Sequence, residues 1–416
     1  MNKEVVKKII IEHQLRIPGL EVMSRNISVE PDANYIFTGQ RRAGKTYFIY
    51  SLIQQHLQKN IPSEKILYFN FEDERLIGMG VEHLDMLIEG YKELYNTTPL
   101  IFFDEIQIVA GWQKFARRLA DSGYQCCITG SNSTMLSGEM ASTLGGRFLI
   151  KEINTLSFEE FIRFKDILLE ENYAYTNQRF DIIALFNEYF YMGGFPETLN
   201  FADKKEYLSG LFQKVFLGDI VSRYNIRNVH AMKLLLKKMA ESITDETSYN
   251  RIKNIINSTG VSVGTATLIE YLNYLEEAFM IKSVNNFYSK ITERETKKKY
   301  YFRDNGLLNL FLIDGEPQLL ENLVFNKLYM QYCKEVFYAK DNTEVDFYVP
   351  GKILLQVCYR LGNAETRKRE VGAIVKVSNM LKAEKYMIIT SEEEEIIELG
   401  NLRIEVLPCW KWLLIK

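Results

Sequence analysis

The sequence predicts an α/β chain that opens with a mostly parallel sheet covered by helices on both faces. A helical region and a smaller α/β unit follow. Three observations carry this. Through residue 155, short apolar runs (YIFTG, KILYFNFED, LIFFDEI, QCCITGS) alternate with amphipathic stretches (TYFIYSLIQQHL, WQKFARRLADS), the pattern of βα units around a doubly covered sheet. From 156 to 230, helical periodicity dominates (LSFEEFIRFKDILLE, FDIIALFNEYF), broken by the turn-like MGGFPE, and reads as a lid or connector. Beyond 317 strands return.

The elements follow in order. MNKEVVKKIIIEHQL reads as an amphipathic helix, its apolar run too short for a signal peptide or a span. Residues 231–316 open with three helices (MKLLLKKMAESI, SYNRIKNIINST, GTATLIEYLNYLEEAF) and two strands (MIKSVNNFYS, KKKYYFRD), the order of a winged helix. In 317–416 a long helix (LLENLVFNKLYMQYC) precedes strands EVFYAK, EVDFYVP and KILLQVCYR. A helix near REVGAIVKVSNMLK and strands KYMIITS and RIEVLP complete the unit.

Composition bounds the function. At 416 residues, two or three domains are expected. Hydrophobic residues at 47% and charged residues at 25% describe a chain that folds throughout. With 51 Lys plus Arg against 54 Asp plus Glu, the formal charge of -3 gives no global electrostatic case for nucleic-acid binding, so any basic patch is local. Cys126, Cys127, Cys333, Cys358 and Cys409 show no metal-ligand spacing and read as reduced, buried thiols. No apolar segment is long enough for a membrane helix, and a cytoplasmic protein without a membrane partner is expected.

Gly39-Gln40-Arg41-Arg42-Ala43-Gly44-Lys45-Thr46 fits G-x-x-x-x-G-K-[ST], after the strand YIFT and opening the helix TYFIYSLIQQ with Tyr47 in its first turn. Glycines let successive N–H groups turn inward around phosphate oxygens, and the helix N-terminus adds positive partial charge. Lys45 is expected to reach the β- and γ-phosphates and Thr46 to ligate Mg²⁺. A second apolar run, Leu100 to Phe103, ends in Asp104-Glu105 at the carboxyl edge of the sheet, where nucleotides bind. Asp104 is expected to hold Mg²⁺, and Glu105 to orient and polarise the attacking water. Ser131 and Asn132, at the end of QCCITG, are candidates to contact the γ-phosphate or the water, against the alternative of an ordinary turn. Arg147 is a candidate to neutralise transition-state charge in cis or from a neighbouring subunit, and Arg42 a further one, each weighed against a solvated or ion-paired role. The constellation is that of a P-loop NTPase using ATP. No Asn-Lys-x-Asp element favours guanine.

The chain resembles prokaryotic AAA-type ATPases in which an N-terminal ATPase precedes a C-terminal domain of uncharacterised function. GQRRAGKT, FFDEIQIVAGWQKFARRLAD, ITGSNSTMLSGEMASTLGGRF and LSFEEF carry the likeness in the first half. YMGGFPETL, DIVSRYNI, ENLVFNKLY, EVDFYV and VLPCWKWLL carry it in the second. The resemblance implies ATP binding, a winged-helix middle and a C-terminal fold like that of restriction endonucleases. Such a nuclease site needs a helix carboxylate, an Asp on a hairpin strand and Glu-x-Lys on the next. Glu321 and Asp346 suit the first two positions, with Glu344 on the same strand face as Asp346. Gln356 and Cys358 replace the expected Glu and Lys, so cleavage is not expected.

The helix GTATLIEYLNYLEEAF offers mainly Thr, Glu and Tyr, a poor base-reading surface. Arg251 and Lys253, with Lys290, Arg294, Lys297, Lys298 and Lys299 at the wing, would suffice for phosphate contacts to duplex DNA. The alternative is packing between domains or on a protein partner, a second copy of the chain included. Tyr300 and Tyr301 read as core.

Overall fold

The computed structural model describes residues 2–132 and 138–415, without the side chains of 138, 139 and 141. The chain forms two compact units, Met1–Asn154 and Thr155–Lys416.

In the first unit, β1 (Tyr35–Thr38), β2 (Ile66–Asn70), β3 (Leu100–Asp104), β4 (Cys126–Gly130) and β5 (Leu149–Glu152) form one sheet in the order β2-β3-β4-β1-β5. Every pairing is parallel. Alternation along the strands sends Ile36, Leu67, Phe69, Ile101, Phe103 and Ile128 into one core and Tyr35, Phe37, Ile66, Tyr68, Phe102 and Cys127 into another. A sheet buried on both faces has to be written in nearly unbroken apolar runs. Helix Lys3–Arg16, capped by the Asn2 side chain, buries Val6, Ile9 and Ile10 on one of these faces, the i, i+3, i+4 spacing of an amphipathic stripe. The order matters for function: β4 lies between β1 and β3, with Thr38 level with Gly130 and Phe103 level with Ile128, so the carboxyl ends of all three strands meet at one edge.

In the second unit, helix Phe158–Arg163 starts with a Ser157/Glu160 capping box. It ends earlier than LSFEEFIRFKDILLE suggests, because Asp166 takes a φ of 57° that no helix continues through. Helices Gln178–Met192 and Lys204–Lys214 follow, the latter running into a π-helical segment, Val215–Ser222. Helix Val229–Glu241 is followed by β6 (Thr247–Ser248), helices Tyr249–Ser258 and Thr265–Glu277, β7 (Ile281–Val284) and β8 (Lys297–Phe302), the three strands forming an antiparallel sheet in the order β6-β8-β7. The loop between β7 and β8, read from sequence as a plain wing, contains a short helix, Ile291–Thr296. Tyr300 and Tyr301 are buried.

Helix Glu316–Tyr332 leads into a six-stranded sheet in the order β13-β14-β12-β11-β10-β9. Its strands are β9 (Phe337–Lys340), β10 (Glu344–Val349), β11 (Gly351–Val357), β12 (Ala383–Thr390), β13 (Glu395–Leu399) and β14 (Leu402–Pro408). Helix Ala364–Ser378 connects β11 to its parallel neighbour β12. One apolar core runs from Leu156 to Trp412 through the segments 156–230, 231–316 and 317–416. β13 was not expected: it is an acid-rich edge strand, EIIEL, whose charge masks its pairing with β14. All five cysteines are free, and four are buried; Cys333 is exposed, against expectation. Among the described residues no helix is long and apolar enough to cross a membrane.

Candidate nucleotide-binding site

The loop from Gly39 to Gly44 leaves the end of β1 and runs into helix Lys45–Gln58. Its glycines are required. Gly39 has φ 151°, and a Cβ there would stand 2.1 Å from the Ile153 carbonyl oxygen. Gly44 caps the helix at φ 97°, a left-handed conformation that a side chain would strain. The turn is closed by Ala43 N–H donating to the Gln40 carbonyl at 3.1 Å. Behind it, Arg25 donates to the Ala43 carbonyl at 3.1 Å and to the Asn154 carbonyl at 2.9 Å, bracing the loop against the segment after β5. Arg25 carries no motif, and sequence reasoning missed it.

Lys45 is buried, and its Nζ donates to the carbonyls of Gly39 and Gln40, each at 3.2 Å, while standing 3.5 Å from Glu105 Oε1. Neutral carbonyls hold this ammonium loosely, so its charge remains available to an anion in the loop. The buried Gln40 has an amide nitrogen with no hydrogen-bond partner among the described residues. Arg41 pairs with Glu72 at 3.0 Å, Arg42 is exposed at φ 65°, and Tyr47 is exposed with its ring edge-on to Tyr50.

Asp104 is wholly buried at the end of β3 and accepts hydrogen bonds from Thr129, from Thr46 and from the Tyr68 hydroxyl at 2.9 Å. Burial, with Glu105 next to it, raises its carboxyl above the ordinary range although the three hydroxyls oppose this. Thr46 and Asp104, the two expected metal ligands, are thus in contact. Their oxygens form the hard donor set that Mg²⁺ accepts, and the residues fit that ion.

Glu105 sits in the left-handed region, φ 55° and ψ 37°, held there by its N–H donating to Thr129 Oγ1 at 2.9 Å. Non-glycine residues kept in this conformation by their surroundings cluster at active sites and ligand clamps. Burial would raise its carboxyl, but the Lys45 ammonium and hydrogen bonds from Gln107 and Ser131 outweigh it and hold the group ionised. Gln107 Nε2 donates to Glu105 Oε2 at 2.5 Å and to Ser131 Oγ at 3.3 Å, tying the end of β4 to the acid after β3. Gln107 was not singled out from sequence, because a glutamine in a short 3₁₀ turn has no pattern to announce it. Asn132 lies alongside, its carbonyl accepting from Thr38 Oγ1 at 3.0 Å.

Arg147 is not brought to the loop. Asn34 donates its side-chain N–H to the Arg147 carbonyl at 3.2 Å, and Leu149 pairs with Tyr35, which puts Arg147 at the amino edge of the sheet. The phosphate loop leaves the carboxyl edge, about four strand residues or roughly 13 Å away. Its guanidinium pairs with Asp121. The expectation of an in-cis charge-neutralising role is therefore corrected.

The fold and this site define an AAA-type P-loop ATPase. Comparison with known proteins agrees: an AAA domain model matches residues 32–162, and a domain of unknown function (DUF8612) matches 183–318. An uncharacterized protein of Methanocaldococcus jannaschii is 35% identical over 99% of this chain and 96% of its own length. One of Haemophilus influenzae is 30% identical over 91% and 94%. The chain belongs to the family of these relatives. Among solved structures, the Walker-type ATPase of Pyrococcus abyssi is similar with a TM-score of 0.40 at 13% identity, covering 75% of this chain and 96% of that one. The Orc1 protein of Aeropyrum pernix, solved in complex with DNA, has a TM-score of 0.31 at 14% identity, covering 78% and 93%.

The remaining candidates lie in the second unit. Glu321, Glu344 and Asp346 do converge. Gln356 fills the expected carboxylate position, accepting from Asp346 N–H at 3.2 Å and donating to Glu370 at 2.7 Å. Cys358 points its thiol at the Arg360 carbonyl within an apolar core. Among the basic residues assigned to phosphate contacts, Arg251, Lys290 and Lys297 are exposed, whereas Lys299 is fully buried and cannot touch a phosphate. The alternation of KKKYYF along β8 turns Lys299 inward with Tyr301.

Proposed function

We propose that this ATPase hydrolyses ATP as a molecular switch, its nucleotide state read by the modules downstream of residue 155. The convergence of Lys45, Thr46, Asp104 and Glu105 at one sheet edge carries the reading. In it, the amides of residues 39–46 cradle the phosphates and Lys45 moves from its carbonyl partners onto the β- and γ-phosphates. Thr46 and Asp104 would hold Mg²⁺, which neutralises charge on the triphosphate when bound. Glu105, ionised beside Lys45, orients the water, and Gln107 with Ser131 fixes the carboxylate's direction. Phosphate release should collapse in Lys45→Ala and Glu105→Gln; undiminished release in both variants would sink the proposal.

A second reading, an ATP-gated DNA-binding regulator, is favoured by the exposed Arg251, Lys290 and Lys297 around the helix-and-hairpin segment. Phosphate contacts weaken steeply with salt. The reading requires a salt-sensitive gel shift with duplex DNA, and absence of a shift at low salt rejects it. A role for Arg147 requires a neighbouring subunit, which sizing with and without ATP would reveal.

A further inference from the structure

Lys299 has no exposed surface, yet it carries a charge into the second unit. Its Nζ stands 2.8 Å from Glu344 Oε1, 3.4 Å from Glu321 Oε1 and 3.7 Å from Asp346 Oδ1. The three acids come from two elements, helix Glu316–Tyr332 and β10, and the lysine comes from a third, β8. Tyr301 on the same strand donates its hydroxyl to Glu321 Oε1 at 2.8 Å, and the Tyr338 ring lies 5.6 Å from the ammonium. The outer oxygen of Glu344 is taken by Lys340 at 2.7 Å, and Val357 N–H donates to Asp346 Oδ2 at 2.8 Å.

Carboxylates that converge on a point in a protein interior need a cation there, supplied by a metal ion or by a side chain. Here the focus is already filled. Among the described residues the ammonium is the one cation within 4 Å of all three acids, and the second oxygens of Glu344 and Asp346 already accept N–H donors. A divalent ion would have to displace Lys299 or share a space one ion wide with it. A lysine that assists phosphodiester cleavage must also reach the substrate, which a wholly enclosed ammonium does not.

We infer that Lys299 is the built-in cation of this cluster, so that the nuclease-like sheet holds no divalent metal and cuts no nucleic acid, and its acids instead fasten β8 to β10 and the helix before it. This stands apart from the ATPase reading and is tested apart from it.

The test uses the full chain in an Asp104→Asn background, which removes the metal ligand of the nucleotide site. Mn²⁺ is titrated in and the free ion read by electron paramagnetic resonance. With Lys299 present, the free-ion signal is expected to match buffer. Lys299→Ala, checked for folding by circular dichroism, should bind Mn²⁺ about tenfold more tightly or better, and adding Asp346→Asn should abolish the gain. Should Lys299→Ala not fold, the Lys299-containing protein decides alone. Mn²⁺ binding that disappears on Asp346→Asn with Lys299 in place overturns the inference, as does unchanged affinity in a folded Lys299→Ala. Supercoiled plasmid should survive the Lys299-containing protein with Mg²⁺ or Mn²⁺; nicking lost on Asp346→Asn would overturn it equally.

Discussion

Lys45 and Lys299 are both buried lysines facing buried acids, yet their surroundings assign them opposite work. Lys45 rests on two neutral carbonyls at 3.2 Å with one carboxylate at 3.5 Å. Lys299 has three carboxylates within 3.7 Å, the nearest at 2.8 Å. An ammonium on carbonyl dipoles keeps most of its charge for an incoming anion. One enclosed by acids has none left for an incoming phosphate. The number of carboxylates around a buried lysine, more than its burial, separates a ligand site from an internal tie.

That comparison can be broken in order of expected effect. Lys299→Met leaves three acids in a low-dielectric interior without their cation, and should lower the stability of the second unit by about 3–5 kcal/mol in denaturant titration. A companion Glu321→Gln and Asp346→Asn pair should recover part of that loss; equal destabilisation with and without the pair would show that packing, not charge, was removed. Next, Lys45→Ala and Glu105→Gln should each reduce phosphate release by about 10²- to 10³-fold. A fluorescent-nucleotide titration separates them: binding weakens in Lys45→Ala and survives in Glu105→Gln.

Gln107→Ala sharpens the contrast, because it removes a hydrogen bond to an ionised group. Turnover should drop about tenfold with KM little changed. Ser131→Ala should act in the same direction and add little in the double variant, since both act through Glu105. Smallest is a pH effect at His13, which packs edge-on against Tyr68 and has, among the described residues, no hydrogen-bond partner for either ring nitrogen. Burial, helped by Arg16, pushes its imidazole down to about 4 from 6.5. A depressed folded-state value means the unfolded chain binds the proton first. The contribution is present above pH 6.5 and is lost as pH falls through about 4. His13→Phe should flatten the fall in denaturation midpoint between neutral pH and pH 5.

Much of this is legible in the sequence itself. The runs YIFT, ILYFN, LIFFD and CCITG are nearly all apolar because both sheet faces are buried, so the parallel sheet shows in the letters. Less was readable where charge and pairing disagree. EIIEL is a strand among glutamates, and FIRFKDILLE stops being helix at Asp166. In the candidate site, Arg25 and Gln107 passed unnoticed because each acts through contacts with segments far along the chain, which no local pattern announces.

The sequence by itself determined the phosphate loop and the acid pair. Their chemistry depends on consecutive residues: glycines that set successive backbone amides, and two acids that end a buried strand. Only the tertiary structure decided the fates of Arg147 and Lys299. Strand register sent the first to the far edge of its sheet, and the pleat of β8 turned the second into three acids from distant parts of the chain. Both depend on which segments lie side by side, and charge patterns in a linear sequence carry no record of that.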